Sequence, residues 1–257
     1  MLRKNDLNRR RFLIRALTAG GALFVAGCDK LSHTEWFPRI LGSAETLNRK
    51  VHHLIAPRKA MAKEFTEADL SPMFRSNGTS NPESAAYRFM AEHGFDDWKL
   101  EVGGLVEQPA NFSLSDLHGL PSRTQITRHD CVEGWSAIGK WKGVPLHEIL
   151  ARVRPKPEAR YAVFYCADPM DMAGHKYYES VDMDDAFHPQ TILAYELNDK
   201  PLPVPNGAPV RLRIERQLGY KSAKYLMRIE LVESFDNIER GNGGYWEDEG
   251  YEWYAGI

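Results

Sequence analysis

The chain has 257 residues, of which 43% are hydrophobic and 26% are charged, and its formal net charge is -2. The length suits one domain, or one domain with a tail. The near-neutral balance leaves no basic surplus to neutralise phosphates, so nucleic acid is excluded as an expected partner. Fifteen prolines and twenty glycines favour many short strands and turns over a helical bundle.

Residues 1–28 have the pattern of an export signal. A basic start is followed by a mostly apolar run, Ala16 to Ala26, which is far shorter than the ~20 residues of a membrane span. The pair Arg9-Arg10, followed by Phe12-Leu13, resembles a twin-arginine signal, which an export receptor reads. We therefore expect a periplasmic protein that is exported by the twin-arginine route.

The sequence VAGC, which ends at Cys28, also resembles a lipoprotein processing site. Cleavage there would leave Cys28 as the first residue, carrying acyl chains that anchor the protein to the membrane. A plain cleaved signal, or an uncleaved anchor in which Cys28 is incidental, fits the same residues. Acylation of Cys28 is therefore left open.

The rest of the chain predicts an α+β fold, mixed and rich in short strands. Residues 29–70 are expected to form a linker with weak helical spacing around Ala44 to Ile55, and the turn formers of residues 71–84 predict an irregular loop. Apolar spacing predicts strands in 98–114, 160–167, 190–203, 209–216 and 224–235, and short helices in 113–121 and 143–153. Residues 236–257 are aromatic and acidic, and we expect this tail to pack on the domain.

Two cysteines remain besides Cys28, and their spacing allows several interpretations. In an oxidising compartment Cys131 and Cys166 could form a disulfide, or both could be small buried residues. His129 lies two residues before Cys131, but two ligands do not make a structural zinc site. The chain contains no glycine-rich phosphate loop, no HExxH, no CxxC and no GxSxG, so the usual nucleotide, zinc and esterase signatures are absent.

Four blocks of sequence together resemble a known family. They are CVEGWS at Cys131–Ser136, WKGVPL at Trp141–Leu146, His188-Pro189, and NGAPVR at Asn206–Arg211 followed by GYKSAK at Gly219–Lys224. In this order they resemble the sulfite oxidase-type molybdopterin oxidoreductases, in the bacterial periplasmic branch that includes methionine-sulfoxide reductases. The resemblance implies a β-rich sulfite oxidase-type fold over residues 71–235 and Mo-molybdopterin as the cofactor.

The resemblance also implies which residues hold this cofactor. Members of the family bind molybdenum through one protein thiolate besides the pterin sulfurs, and Cys131 matches that ligand; a soft thiolate suits a metal already bound by sulfur. Arg211 matches the arginine that grips the pterin phosphate. Further matches are Asn206, Ser222, Ala223 and Lys224, with looser ones at Phe74, Arg75, Asn77 and, in place of a cofactor-contacting threonine, Cys166. Ordinary surface or core positions remain the alternative for the loose matches.

Candidate substrate residues are fewer. Arg128 lies three residues before Cys131 and is a candidate to hold an anion near the metal, as arginines do in sulfite oxidases. Tyr178, or its neighbour Tyr177, is a candidate proton donor, since the family places this segment along the substrate funnel. Structural roles for Arg128 and for both tyrosines are left open.

The implied activity is oxygen-atom transfer at molybdenum to or from a small sulfur oxyanion or a sulfoxide. No CxxCH haem motif is present, so we expect electrons to pass through a separate haem-containing or membrane partner. A monomer is expected, because the chain has no room for the dimerisation domain of animal sulfite oxidases. The alternative is a non-catalytic envelope lipoprotein that keeps the fold as a binding module.

Overall fold

The computed structural model describes residues 59–257 and ten positions between Thr34 and Leu54. The predicted export signal, residues 1–28, lies outside the described residues. No helix among the residues described is both long enough and apolar enough to cross a membrane.

The chain divides into two units, Met1–Ile55 and Ala56–Ile257. In the first unit, the described positions from Ser43 to Leu54 are helical and exposed, in agreement with the weak helical spacing of this segment. All elements named below belong to the second unit.

The second unit is built mainly from short strands. Within residues 59–257 they are β1 Lys99–Gly104, β2 Ala110–Ser113, β3 Arg123–Cys131, β4 Trp135–Pro145, β5 Tyr161–Pro169, β6 Lys176–Asp182, β7 Ile192–Leu197, β8 Lys200–Pro201, β9 Arg211–Arg213 and β10 Leu226–Val232. One sheet has the order β2-β1-β10-β5-β6, in which only β1 and β10 are parallel. The other has the order β3-β4-β7-β8, and β9 also pairs with β7.

Helices in the described residues are few and short. They are α1 Ala85–Glu92, α2 Leu114–His118, α3 Leu146–Val153, α4 Met183–Ala186 and α5 Tyr245–Asp248, with 3-10 turns at Glu67–Asp69, Val204–Asn206 and Gly219–Lys221. Helix α2 begins where the Ser113 hydroxyl accepts the N–H of Asp116, which is the expected N-cap arrangement. The predicted α+β class is confirmed.

Residues of both sheets contribute to the main hydrophobic core. Trp98, Phe164 and Ile229 come from or adjoin the first sheet, and Val144 and Leu212 come from the second. A smaller cluster around Phe74, Trp141 and Ala194 covers the opposite face of the second sheet. Because side chains alternate along a strand, the second sheet is buried on both faces, and its polar residues on the Trp141 face need partners inside the protein.

Several elements differ from the sequence-based expectation. Strands β3 and β4 form a long hairpin that the apolar spacing does not reveal, since both carry polar residues that are nevertheless buried. Helix α3 begins at Leu146, because residues 143–145 complete β4. Helix α1 and strand β6 were not predicted. Residues 62–65, within the predicted linker, pack along β3 through the hydrogen bond from the Phe65 N–H to the Ile126 carbonyl (2.8 Å).

Candidate functional site

A cavity of about 190 Å³ opens on the second unit. Residues from six separate stretches form its walls, which is the arrangement expected of a ligand site and not of a packing defect. The lining consists of Asn77, Gly78, Thr79, Cys131, Val132, Glu133, Asp168, Met170, Tyr177, Tyr220, Ser222, Lys224, Trp246 and Tyr251.

Cys131 lies at the end of β3, where the hairpin turns towards β4. Side chains alternate along β3, so that Thr127, His129 and Cys131 all face the interior. The turn requires Gly134, whose φ is 84° and whose N–H donates to the Cys131 carbonyl (3.0 Å). Cys131 is 9% exposed and forms no disulfide, and burial raises the pKa of its thiol. A free, largely buried thiol therefore lies at the cavity wall.

Arg211 is fully buried on the Trp141 face of β9. Its Nη1 donates to the Asn206 carbonyl (3.0 Å), and its Nη2 donates to the Ser222 carbonyl (2.9 Å). Its Nε has no hydrogen-bond partner within residues 59–257. Burial lowers its pKa to about 9, so the guanidinium remains charged at neutral pH. A buried cation with a spare N–H favours an anion beside it.

Lys224 fastens two parts of the cavity together. Its Nζ donates to the carbonyls of Asn77 (2.6 Å), Pro205 (3.0 Å) and Thr79. Burial, reinforced by the charge of Arg211, lowers its pKa to about 7. The ammonium thereby holds the 77–79 loop against the segment that ends in GYKSAK.

A buried network lies behind Cys131. Arg213 Nη1 donates to His129 Nδ1 (2.7 Å), and Arg213 Nη2 donates to Glu215 Oε2 (2.6 Å). Because arginine has no acceptor, His129 must accept at Nδ1, and its proton then lies on Nε2. Burial and the Arg213 charge lower the His129 pKa well below its ordinary value, which agrees with a neutral ring. A Cβ at Gly219 would lie 2.3 Å from this Nε2. Any residue larger than glycine at position 219 would therefore clash with the His129 ring.

The residues present fit a molybdopterin. In the described part of the chain, five buried polar atoms in or behind the cavity have no protein partner: Asn77 Oδ1, His129 Nε2, Asp168 Oδ1, Asn206 Nδ2 and Arg211 Nε. Folded proteins leave few buried polar atoms unsatisfied, so this concentration indicates a bound polar group. A pterin with its phosphate offers donors, acceptors and negative charge to such atoms, and Cys131 offers one thiolate to the metal.

Three other predicted cofactor residues frame the cavity without lining it. Phe74 packs edge-on against Trp141, with ring centroids 4.9 Å apart. Arg75 is exposed, and its guanidinium lies 5.7 Å from the Trp135 ring centroid. Ala223 is buried, and its carbonyl accepts the N–H of Leu212 (2.8 Å). Ser222, the remaining predicted residue of GYKSAK, does line the cavity.

Cys166 lies in a different environment from Cys131. It sits on β5 within the main hydrophobic core, 1% exposed, and is not part of the cavity lining. Burial raises the pKa of its thiol well above the ordinary value. Both cysteines are free, so the disulfide alternative does not apply.

Of the candidate substrate residues, the structure brings Tyr177 to this cavity but not Arg128 or Tyr178. Arg128 lies on the face of β3 opposite Cys131, is mostly exposed, and pairs with Asp130 (2.9 Å). Tyr178 donates its hydroxyl to Asp248 and lines a second cavity. Alternation along β6 turns Tyr177 to the first cavity instead, where its hydroxyl donates to the Tyr220 carbonyl.

Several lining residues were not predicted from the sequence. Asp168, 4% exposed, was not singled out, since a lone aspartate at a strand end carries no motif. Trp246 and Tyr251 come from the tail, for which the sequence predicts packing but no contact with the site. The available signal was the mixture of aromatic and acidic residues in 236–257.

Comparisons with known proteins identify the family of the chain. Residues 88–237 match the family described as oxidoreductase molybdopterin binding domain. A provisionally named protein-methionine-sulfoxide reductase subunit YedZ1 of Azospira oryzae is 36% identical over 96% of this chain and 87% of its own. The protein-methionine-sulfoxide reductase catalytic subunit MsrP of Xanthomonas axonopodis pv. citri is 43% identical over 87% of this chain and 70% of its own.

One similar solved structure is the sulfane dehydrogenase SoxCD of Paracoccus pantotrophus, with a TM-score of 0.48 and 24% identity over 54% of this chain and 39% of that chain. The family match covers most of the second unit, including Cys131, Arg211 and Lys224. The family match and the two relatives agree with the resemblance carried by the four sequence blocks, and they support an oxidoreductase over a non-catalytic binding module. The chain belongs to the oxidoreductase molybdopterin-binding domain family and is a molybdopterin-dependent enzyme.

Proposed function

We propose that the enzyme reduces a sulfoxide at a molybdenum ion ligated by Cys131. The observation that carries this proposal is the position of a free, buried thiol at the wall of a cavity whose polar side matches a molybdopterin. The relatives named for protein-methionine-sulfoxide reduction support a sulfoxide as the substrate.

The charges of the cavity favour a neutral sulfoxide over the anion sulfite. Glu133 and Asp168 are acidic members of the lining, and Lys224 is its basic member. The Lys224 ammonium is already enclosed by three carbonyl oxygens. Arg128, the candidate anion-binding residue, lies on the other face of β3. An anionic substrate would therefore enter beside the Glu133 carboxylate, and beside Asp168 whenever that carboxyl is ionised, with little compensation.

The reaction consumes two electrons and two protons: the S=O bond breaks, sulfur is reduced, and the oxygen leaves as water. When bound, the molybdenum cofactor supplies the two electrons and accepts oxygen from substrates of this kind. We assign delivery of a proton to Asp168, which lines the cavity with its Oδ1 unpaired among the described residues. Burial raises the pKa of this carboxyl to about 6, which lets it hold a proton near neutral pH.

We also propose that the protein acts in the periplasm after twin-arginine export. The Arg9-Arg10 pair and the VAGC sequence ending at Cys28 support export and a possible lipid anchor. Since the sequence contains no CxxCH motif, a separate haem-containing or membrane protein is proposed as the electron donor.

The direct test is an assay of the enzyme purified from a host that makes molybdopterin. Molybdenum is measured first, and then turnover with a reduced dye is measured for methionine sulfoxide and methyl p-tolyl sulfoxide, and with an oxidised dye for sulfite. We expect stoichiometric molybdenum and turnover of the sulfoxides. Turnover of sulfite alone would contradict the substrate assignment, and a preparation that binds no molybdenum in such a host would contradict the site.

A further inference from the structure

The tail forms one side of the cavity. Trp246 and Tyr251 both line it, and their rings are stacked with centroids 5.3 Å apart and planes 27° apart. Tyr251 is 40% exposed, and Val132, which lies in the β3–β4 turn, is 43% exposed. Met170 adds a further apolar side chain. These four residues make an apolar entrance, whereas residues such as Asn77, Asp168, Ser222 and Lys224 supply the polar part of the lining.

This aromatic pair lies beyond residues 88–237, the region that matches the family. The pair therefore lies outside the region that defines the family, in the C-terminal tail. A wall outside the shared domain is free to differ in chemistry while the cofactor site stays the same, which is how substrate choice varies on one scaffold.

A buried ion cluster holds the tail in place. Lys221 Nζ donates to Glu247 Oε1 (2.6 Å) and to Glu179 of β6, and all three side chains are at most 1% exposed. Glu247 lies next to Trp246 in α5, and Lys221 lies next to Ser222 of the cavity. A further bond runs from Trp253 Nε1 to the Ser180 hydroxyl (2.8 Å). The aromatic pair is thus fixed relative to the cavity and does not depend on a loose terminus.

We propose that Trp246 and Tyr251 form a substrate-binding wall that selects uncharged organic sulfoxides by contact with their hydrocarbon groups. The proposal rests on the proposed function for the identity of the reacting group. Aromatic faces bind alkyl and aryl groups and do not repel a neutral sulfoxide. They provide no positive charge to offset the negative charge of sulfite. Trp246 and Tyr251 contact the substrate remote from sulfur, so they contribute to binding and not to the bond that breaks.

The test compares the full-length, molybdenum-loaded enzyme with Trp246→Ala and Tyr251→Ala. The control is Phe89→Ala, which removes an exposed aromatic ring of α1 that does not line the cavity. With methyl p-tolyl sulfoxide we expect KM to rise roughly tenfold in each wall variant, while kcat stays within about twofold. Dimethyl sulfoxide, which has little hydrocarbon to contact, should show a smaller rise in KM. Phe89→Ala should leave both constants unchanged.

Equilibrium binding of methyl p-tolyl sulfone, measured by calorimetry, separates this inference from the proposed function. If the wild type binds the sulfone and the wall variants bind it about tenfold more weakly, the wall is supported even when no sulfoxide is reduced. If the wild type binds no sulfone, or the variants bind it equally well and keep the wild-type KM, the inference is overturned. Should Trp246→Ala fail to fold, the exposed Tyr251→Ala decides the outcome alone.

Discussion

The two sides of the cavity differ in how their side chains are held. The cofactor side, made by Cys131, Asn77, Ser222 and Lys224, rests on a strand end and on hydrogen bonds that buried cationic side chains donate to backbone carbonyls. The entrance side, made chiefly by the tail, rests on a buried ion cluster and stacked rings. On the first side, buried polar atoms such as Asn77 Oδ1 have no hydrogen-bond partner among the described residues, and the second side carries apolar surface. We infer that one side serves the cofactor and the other serves the substrate.

The largest effect is expected from Cys131→Ala, which removes the proposed metal ligand. Turnover should be lost, whereas molybdenum content should stay within about twofold, because the phosphate grip of Arg211 is intact. The measurements are dye-linked sulfoxide reduction and metal analysis of the same preparation. Cys166→Ala, a change at the free cysteine of the core, should keep most turnover. Full activity in Cys131→Ala would show that Cys131 is no more important for turnover than Cys166, and would contradict its role as the metal ligand.

The variant Lys221→Met tests the buried ion cluster that holds the tail against the rest of the cavity. This change leaves Glu179 and Glu247 buried without their cation, and such losses destabilise by about 3–5 kcal/mol. Burial alone would lower the Lys221 pKa, but the two carboxylates raise it overall, so the native lysine is charged. Urea unfolding measures the effect. Arg228→Met, at the partly exposed pair with Glu230, is the control and should cost about 1 kcal/mol or less. Equal costs would show that the buried cluster does not hold the tail.

The proton-delivery role of Asp168 predicts a pH dependence. Since burial places its pKa at about 6, the carboxyl loses its proton as the pH rises through this value, and kcat should fall. Asp168→Asn should lower kcat by roughly 100-fold at pH 5 and abolish this fall. The titratable groups that act on or respond to Asp168 are Lys224, Tyr87, Tyr225, Tyr177 and Cys166. A pH profile that keeps its descending limb in the asparagine variant would assign it to another group, with Lys224 the first to examine.

A smaller effect is expected from Arg211→Met on the cofactor side. The variant loses the buried cation that the phosphate would meet, and retained molybdenum should fall about tenfold. Metal analysis after gel filtration checks this, and kcat per bound molybdenum should change little. Unaltered molybdenum content would remove Arg211 from the cofactor side.

Several residues of the cavity could be predicted from the sequence because they belong to short contiguous blocks. CVEGWS and GYKSAK each carry lining residues, and NGAPVR carries the buried Arg211. The entrance side depends on contacts between distant segments, such as Lys221 with Glu247, which no local pattern reveals. Strand alternation explains the two misplaced residues: Arg128 and Tyr178 each neighbour the cavity in sequence, but point to the opposite face of their strands.

The fold was predictable to a similar degree. Apolar and β-branched content identified β1, β5, β7 and β10, because each contributes several side chains to the main core. The β3–β4 hairpin escaped prediction, since its inward residues include Gln125 and His129, whose buried side chains form hydrogen bonds. A hydropathy pattern detects only residues that are buried by apolar contact.

The most direct test of the central claim is X-ray absorption at the molybdenum edge, recorded for the wild type and for Cys131→Ala. If Cys131 binds the metal, the variant should show one sulfur ligand fewer than the wild type, with the pterin sulfurs unchanged. An identical sulfur count in the two proteins would show that the thiol at the cavity wall is not a ligand, and would contradict the proposed site.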